Sequence, residues 1–484
     1  MSQSKLNRRT VLKAMSAAPF LAAAPQPVRA MNESDVIVIG AGLSGLNAAL
    51  MLQGEGLNVR VLEGRNRIGG RMQSLRNIPG NPEVGGTSFA PGYARLVDAC
   101  NKYGVGLVDL TPVFPFYFQR ELILDNQVIP ADKWPTHPLN PFPQDAKQFM
   151  PWSMLGAFMA KNNPLEYADA WVDPKNANYD VSFYDWLKQK GLNDRTINLA
   201  YNTNPTHGSS AYEVSALMMM FSGAFAGVQQ QIARSSGGAM GYTAKGGNQS
   251  IPEAMANALK NEVQLNTTVT GIRSESGQAE VHCADGTVYR AKRVICSVPC
   301  SVLRRIKIDP LLSGNQARGV STLESQIINQ LHLVPKAPYW EEDGLNPSMF
   351  SDSLAGMVVA EHKGAKPTDV SSLTIWIRGP DAAWMDAQPD AVSTKAVLDD
   401  FLRMRPAAKG KVEIAGYKSW YRDPFSMGDW AYWQPGQVSG FATEIGNQHE
   451  RIHFCGEHTA ISNRGMEGAM ESGERAGLEV LSQI

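Results

Sequence analysis

The hydrophobic pattern is clearest at two ends of the chain. Asp35-Val36-Ile37-Val38-Ile39 is a β-branched run without alternation, which predicts a strand buried on both faces. Gly40-Ala41-Gly42-Leu43-Ser44-Gly45 follows, and Leu46 to Gln53 then carry Ala and Leu at helical spacing until Gly56. Val59 to Leu62 predict a second strand, ending on Glu63. Farther along, the segment from Asn261 to Val269 leads into a strand, and Val294 to Val298 form another that stops at Pro299. At the far end, Ile452-His453-Phe454 predicts a short strand, and Arg464-Gly465-Met466 opens a helix running through Ser472, Gly473 and Arg475. Between these segments, helices are predicted around Ser182–Lys190 and Tyr212–Phe221. Met218, Met219 and Met220 of the second read as a buried helix face in preference to an adaptable pocket. The strand–helix–strand order from Asp35 to Leu62 reads as an α/β unit at the start of the chain.

Composition changes this picture little. With 43% hydrophobic residues in 484, there is apolar mass for more than one core. A formal net charge of -1, without clustered Lys or Arg in the body of the chain, argues against a nucleic-acid partner. Five cysteines (Cys100, Cys283, Cys296, Cys300, Cys455) show no metal-ligand spacing with histidines and cannot all pair within one chain; Cys296 and Cys300, in an apolar strand and the turn after it, read as inert buried thiols. No metal site and no nucleophile–base signature is predicted. The first thirty residues stand apart. Arg8-Arg9-Thr10-Val11-Leu12-Lys13 precedes an Ala-rich apolar run, Ala14 to Ala24, and the stretch ends at Val28-Arg29-Ala30. This resembles a twin-arginine export signal, which carries folded proteins to the periplasm. The run is short of the ~20 residues that span a bilayer, so no membrane span is expected.

Strand, glycine turn, helix, strand and acid stand in register between Asp35 and Glu63 and form a dinucleotide-binding βαβ unit. Gly40 permits the tight turn, Gly42 lets backbone approach a pyrophosphate, and Gly45 lets helix and strand pack closely. Leu43 and Ser44 open the helix, whose N-terminus offers free N–H groups and a positive dipole end to phosphate. Glu63 accepts hydrogen bonds from ribose hydroxyls and disfavours a 2′-phosphate.

The residues after Glu63, namely Gly64-Arg65-Asn66-Arg67-Ile68-Gly69-Gly70-Arg71, resemble the second signature of the flavin amine oxidase superfamily. Glu83-Val84-Gly85-Gly86-Thr87, Gly246 to Ala254, Val269, Val294 to Pro299, Gly456-Glu457 and Arg464 to Ala469 are similar to that family's remaining FAD segments. The resemblance implies a Rossmann-like FAD-binding domain assembled from 31–90, 240–310 and 425–484. An interleaved α+β substrate domain would take 91–239 and 311–424. It further implies that Arg67 and Arg71 meet the pyrophosphate and that Gly69, Gly70, Gly86 and Thr87 pass close to the cofactor. Val269 would meet the adenine through its backbone, Gly456 and Glu457 would lie by the ribityl chain, and Gly465 and Met466 would aim a helix N-terminus at the flavin. His458 and Asn463 are expected nearby.

The resemblance also gives the reacting face. Trp430 falls at one of two family aromatic positions beside the flavin, and Gly465 replaces the other. Asp429 stands where some relatives carry the cysteine that bonds to FAD, so FAD is expected to be non-covalent. Counting ten residues back from Trp340 of Pro338-Tyr339-Trp340 puts Gln330 at the position of the family lysine that supports reaction with oxygen; Lys336 is nearby. Trp430 and Gln330 are therefore the candidate catalytic positions. The implied activity is oxidation of an amine by hydride transfer to flavin N5. The imine is then hydrolysed, and electrons pass to O2, a cytochrome or a quinone. Alternatives are an L-amino-acid oxidase, with Arg378 or Arg464 pairing the carboxylate, and a carbon–carbon desaturase. A non-catalytic flavoprotein ranks last, and the oligomeric state is left open.

Overall fold

The protein is described by a computed structural model covering residues 33–235 and 237–484; the segment read as an export signal lies outside the described residues. The elements that position the site begin with strand β1 (Glu33–Ile39), helix α1 (Leu43–Gly54) and strand β2 (Val59–Leu62). Strands β3 (Glu121–Leu124) and β4 (Gln127–Ile129) and helices α2 (Phe183–Gln189) and α3 (Ala216–Ser235) follow. Next come strands β5 (Val269–Ser274), β6 (Ala279–Cys283), β7 (Val288–Cys296), β8 (Lys307–Asp309) and β9 (Ile328–Pro335). Strands β10 (Met349–Ser351), β11 (Met357–Glu361) and β12 (Ser372–Arg378) lead to helices α4 (Gly379–Asp386) and α5 (Asp390–Met404). Strands β13 (Val412–Ser419) and β14 (Ile452–Phe454) and helix α6 (Gly465–Leu481) complete the set.

One seven-stranded sheet runs β8-β5-β6-β7-β1-β2, with β14 on the C-terminal half of β7. β1 lies parallel between β2 and β7, pairing Val38 with Val61 and with Ile295. Residues 36 to 39 are buried, in keeping with the unbroken apolar run. The second seven-stranded sheet, β13-β9-β12-β11-β10-β3-β4, is antiparallel except where β10 meets β3. The chain is thus a mixed α/β protein, in keeping with the Rossmann-like domain that the resemblance implies.

The second sheet has two different faces. Leu331, Leu333, Leu373, Ile375 and Ile377 pack with Ala382, Met385, Val397 and Phe401 of α4 and α5. The opposite face of the same strands carries Gln330 and His332 of β9 directly across from Trp376 and Thr374 of β12. Polar side chains therefore sit on the face turned from the helices.

Helix α6 closes the structure against α1 at very short range. A Cβ at Gly473 would stand 2.3 Å from the Ser44 carbonyl oxygen, and one at Gly477 2.9 Å from Met51 Sδ. These glycines let the two helices approach, which brings both N-termini to one place. The helix expected over Tyr212–Phe221 instead starts at Ala216 and runs to Ser235. Ser215 sets that start: its hydroxyl accepts the Leu217 N–H at 3.2 Å and donates to Asp180 at 2.6 Å. Tyr212 to Val214 belong to the preceding turn. Met218 and Met220 lie in the core with Trp171 and Phe221.

Candidate functional site

A cavity of about 650 Å³ runs between the first sheet and the second. Its walls are made by the fingerprint turn (Gly40, Gly42, Leu43, Ser44) and the arginine loop (Glu63, Gly64, Arg65, Gly69, Gly70, Arg71). Gly86, Thr87, Val269, Gly456, Glu457, Trp430, Gly465 and Met466 also line it. Segments from opposite ends of the sequence thus face one space. Gly45 does not line it. A Cβ there would stand 2.1 Å from the Gly40 carbonyl oxygen, so its role is to let α1 sit on β1.

The glycines make a cradle. Gly42 and Gly70 face each other so closely that a Cβ on Gly70 would lie 3.3 Å from the Gly42 Cα. Gly70 also has φ +58°, a conformation L side chains rarely adopt. A Cβ on Gly64 would meet the Phe425 ring at 2.3 Å. The first turns of α1 and α6 receive no side-chain cap, and Leu43 and Gly465, the first residues of each, line the cavity. Uncapped N–H groups at helix N-termini favour anionic or electron-rich groups, so the two ends suit a phosphate and a charge-accumulating ring.

Charge is arranged around that cradle. The Glu63 carboxylate accepts the Ala41 and Arg65 N–H groups, each at 2.9 Å, tying the fingerprint turn to the next loop. Arg65 donates to Asp423 at 2.7 Å and to Ser426 at 2.6 Å. Arg71 donates to the Asp429 carbonyl at 2.5 Å and to Glu457 at 3.0 Å, and Glu457 also accepts the Ala431 N–H. Arg67, expected at the pyrophosphate, is instead turned onto the carbonyls of Ile68, Gly70 and Met72 and braces its own loop. His458 and Asn463 are also outside the wall: His458 is buried, and Asn463 is held by Glu471 at 2.8 Å.

Trp430, Trp376, Tyr93 and Gly465 also line the cavity. The Trp430 indole N–H donates to the Thr206 carbonyl at 3.0 Å, and its ring meets His207 edge-on at 5.9 Å. Nothing lies within 4 Å of the place a Gly465 side chain would start, so that position leaves open space. Gln330 is fully buried and its amide has no hydrogen-bond partner. It does not line the cavity itself, but lies directly across from Trp376 on one side and Lys418 on the other. Lys336 is exposed and paired with Glu413 at 2.9 Å, so it does not take the lysine's place.

Several wall residues were not singled out in the sequence. Trp376, Tyr93 and Arg305 come from stretches without a recognisable motif, whereas Phe425, Ser297 and Thr267 lie inside or beside the family-like segments. For Trp376 the usable signal is its register opposite Gln330. None of the five cysteines lines the cavity, and all are free and buried, so no thiol is placed for a covalent bond to a flavin. Asp429 does line it, and burial pushes its carboxyl up to about 7; Arg71 opposes that shift and Glu457 adds to it. No group of three or more metal-ligating side chains occurs among the described residues.

Asp429 gives a pH prediction. Between its ordinary 3.8 and about 7, the folded chain keeps a proton that the unfolded chain releases, so rising pH costs stability across that window. Asp429→Asn should raise the thermal midpoint above pH 7, a gain of up to about 4 kcal/mol, and leave it nearly unchanged at pH 4. Midpoints of both proteins across that range check this; equal shifts at both ends would refute the raised carboxyl.

Comparison with known proteins agrees with the cradle. Residues 43–481 match the family described as flavin containing amine oxidoreductase. The probable flavin-containing monoamine oxidase A of Dictyostelium discoideum is 26% identical over 93% of this chain and 98% of its own length. Human flavin-containing amine oxidase B is 25% identical over 93% of this chain and 86% of its own. Among solved structures, putrescine oxidase bound to putrescine superposes with a TM-score of 0.75 at 24% identity, covering 94% of this chain and 100% of that one. Cyclohexylamine oxidase from Brevibacterium oxydans IH-35A gives 0.74 at 21% identity, covering 93% and 99%. With glycine cradle, acid, arginine and two helix N-termini converging on one cavity, the chain belongs to the flavin containing amine oxidoreductase family.

Proposed function

We propose that the protein is an FAD-dependent enzyme that oxidises the carbon–nitrogen bond of a primary or secondary amine, with Trp430 beside the reacting face. The observation that carries this reading is that Trp430 and Gly465 line the same cavity as the glycines, acid and helix N-termini that fit FAD. Bound FAD supplies a two-electron acceptor that takes a hydride from the carbon bearing the amine, and water then hydrolyses the imine. The chain's own part is to bind, orient and dry the reactants. Glu63 is placed for ribose hydroxyls, and the N-terminus of α1 for the pyrophosphate. The N-terminus of α6 stabilises negative charge on the ring. Trp430 and Trp376 give an apolar wall that favours the neutral amine.

Gln330 bears on the electron acceptor. An amide holds water but supplies no positive charge to reduced oxygen, and Lys418 across from it is engaged with Asp423 at 2.8 Å. We therefore assign electron transfer to a cytochrome or quinone ahead of O2. We further propose that Arg8 and Arg9 direct export of the folded protein to the periplasm.

Anaerobic bleaching of the flavin by a panel of amines tests the activity. Bleaching with recovery that needs a quinone or cytochrome is expected; no bleaching by any amine would shift the reading to a desaturase. Gln330→Lys should speed recovery in air roughly tenfold or more, and an unchanged rate would refute a role for position 330, behind Trp376, in the reaction with oxygen. Gly42→Asp should yield folded, colourless protein. The added Cβ meets only Gly70 Cα, at 4.0 Å, while its carboxylate would oppose the pyrophosphate; a yellow variant after gel filtration would refute the cradle. Replacing Arg8 and Arg9 together by Lys should hold the protein in the cytoplasmic fraction, and normal periplasmic recovery would discard the signal.

A further inference from the structure

Beyond Trp430 and Trp376 lie two arginines that no acid neutralises. Arg378 ends β12, and its guanidinium carbon stands 5.1 Å from the Trp376 ring centroid and 5.9 Å from that of Trp430. Arg120 immediately precedes β3 and lies 5.6 Å from the ring of Trp152, which in turn packs on Phe350 of β10. The registers set Leu122, Phe350, Met357 and Trp376 in one row across β3, β10, β11 and β12. Arg120 and Arg378 each stand two residues from that row, at its two ends, so both belong to the face turned from α4 and α5. The positive charge of Arg120 reaches Arg378 and adds to the desolvation that lowers its pKa to about 10; burial alone does the same to Arg120. Both remain cations at neutral pH.

Neither guanidinium has a hydrogen bond or ion pair among the described residues, and both Nε atoms are buried without a partner. Both residues keep some exposure, so their outer nitrogens are open to a ligand beside the indoles. The acid that acts on Arg378 is Asp429, which is itself held largely protonated below neutral pH and whose charge Arg71 draws more strongly. Arg464, a third interior arginine, differs: it donates to His207 at 2.9 Å and also binds Ser222.

A fold seldom keeps two neighbouring cations half-buried without a counter-charge, because each is costly to desolvate and they repel one another. Neither arginine is itself part of the cavity wall, but Arg378 lies on Trp376 and Trp430, which are. Guanidinium forks match a carboxylate bidentately, and the flanking indoles dry the site and strengthen the pairing. We propose that the substrate is an amine that also carries a carboxylate, and that Arg378 with Arg120 binds that carboxylate beside Trp430 and Trp376. This rests on the amine-oxidation reading and names the substrate class within it.

The test on the FAD-loaded protein has a binding arm and a reduction arm. Benzoate should perturb the flavin spectrum or tryptophan fluorescence with a Kd about tenfold or more below that of benzamide. Arg378→Met should abolish that preference, and Arg378→Lys should retain part of it. Equal affinity for benzoate and benzamide, or a preference that survives Arg378→Met, would overturn the proposal; tighter binding of phenylphosphonate than of benzoate would overturn its choice of anion. In the second arm, L-phenylalanine is set against phenethylamine, and 4-aminobutanoate against propylamine. In at least one pair the acid should bleach the flavin about tenfold faster or more at subsaturating concentration, and Arg378→Met should erase the difference. Bleaching by the plain amines alone would sink the carboxylate while leaving amine oxidation standing. If none of the four bleaches, the amine reading fails for them, and the benzoate comparison decides the anion site by itself. That comparison uses the unaltered protein, so it stands even where a variant does not fold.

Discussion

The structure depends on backbone reaching backbone across a narrow gap. Gly70, with φ +58°, comes so close to Gly42 that a Cβ on it would stand 3.3 Å from the Gly42 Cα, and Gly473 brings α6 against the Ser44 carbonyl of α1. Both approaches serve one end. They bring two uncapped helix N-termini, at Leu43 and Gly465, to the same cavity. A dinucleotide needs this arrangement, since its phosphates are bound best by N–H groups that no side chain competes for. The salt bridge of Arg71 with Glu457, 386 residues apart, holds the far wall in place at 3.0 Å.

The parts legible in the sequence are those where a physical requirement admits few residue types. A turn with positive φ and a close backbone approach call for glycine, so Gly40, Gly69, Gly70 and Gly86 announce themselves. An acid at the end of the second strand is equally constrained, and Glu63 is found binding two backbone N–H groups. Arginine is less constrained because its long stem can turn either way. Arg67 and Arg71 looked alike in the sequence, yet one braces carbonyls of its own loop and the other crosses to Glu457.

The less legible parts come from the second sheet. Alternation along Ile328 to Pro335 separates two sets of side chains, but every one of residues 328 to 333 is buried, so polarity alone does not tell which face meets the cavity. Only pairing with β12 places Gln330 across from Trp376, and only the registers of four strands put Arg120 on the face that Arg378 occupies. Such neighbours are set by long-range register, which no local pattern encodes. The start of α3 shows the same limit on a smaller scale, because Ser215 caps it while bonded to the distant Asp180.

This division follows the division of labour in the molecule. Cofactor chemistry is shared across a family, so the residues that meet FAD are held by strict geometry and few types suffice. Substrate chemistry is particular to one chain and is set by side chains on strands that need only be apolar on their other face. The helix-facing half of β12 would pack α4 and α5 equally well whatever the opposite half carried. That freedom lets Trp376 and Arg378 vary without cost to the core. Two cations left without an acid in such a place are therefore better explained by what enters the cavity than by what holds the sheet together.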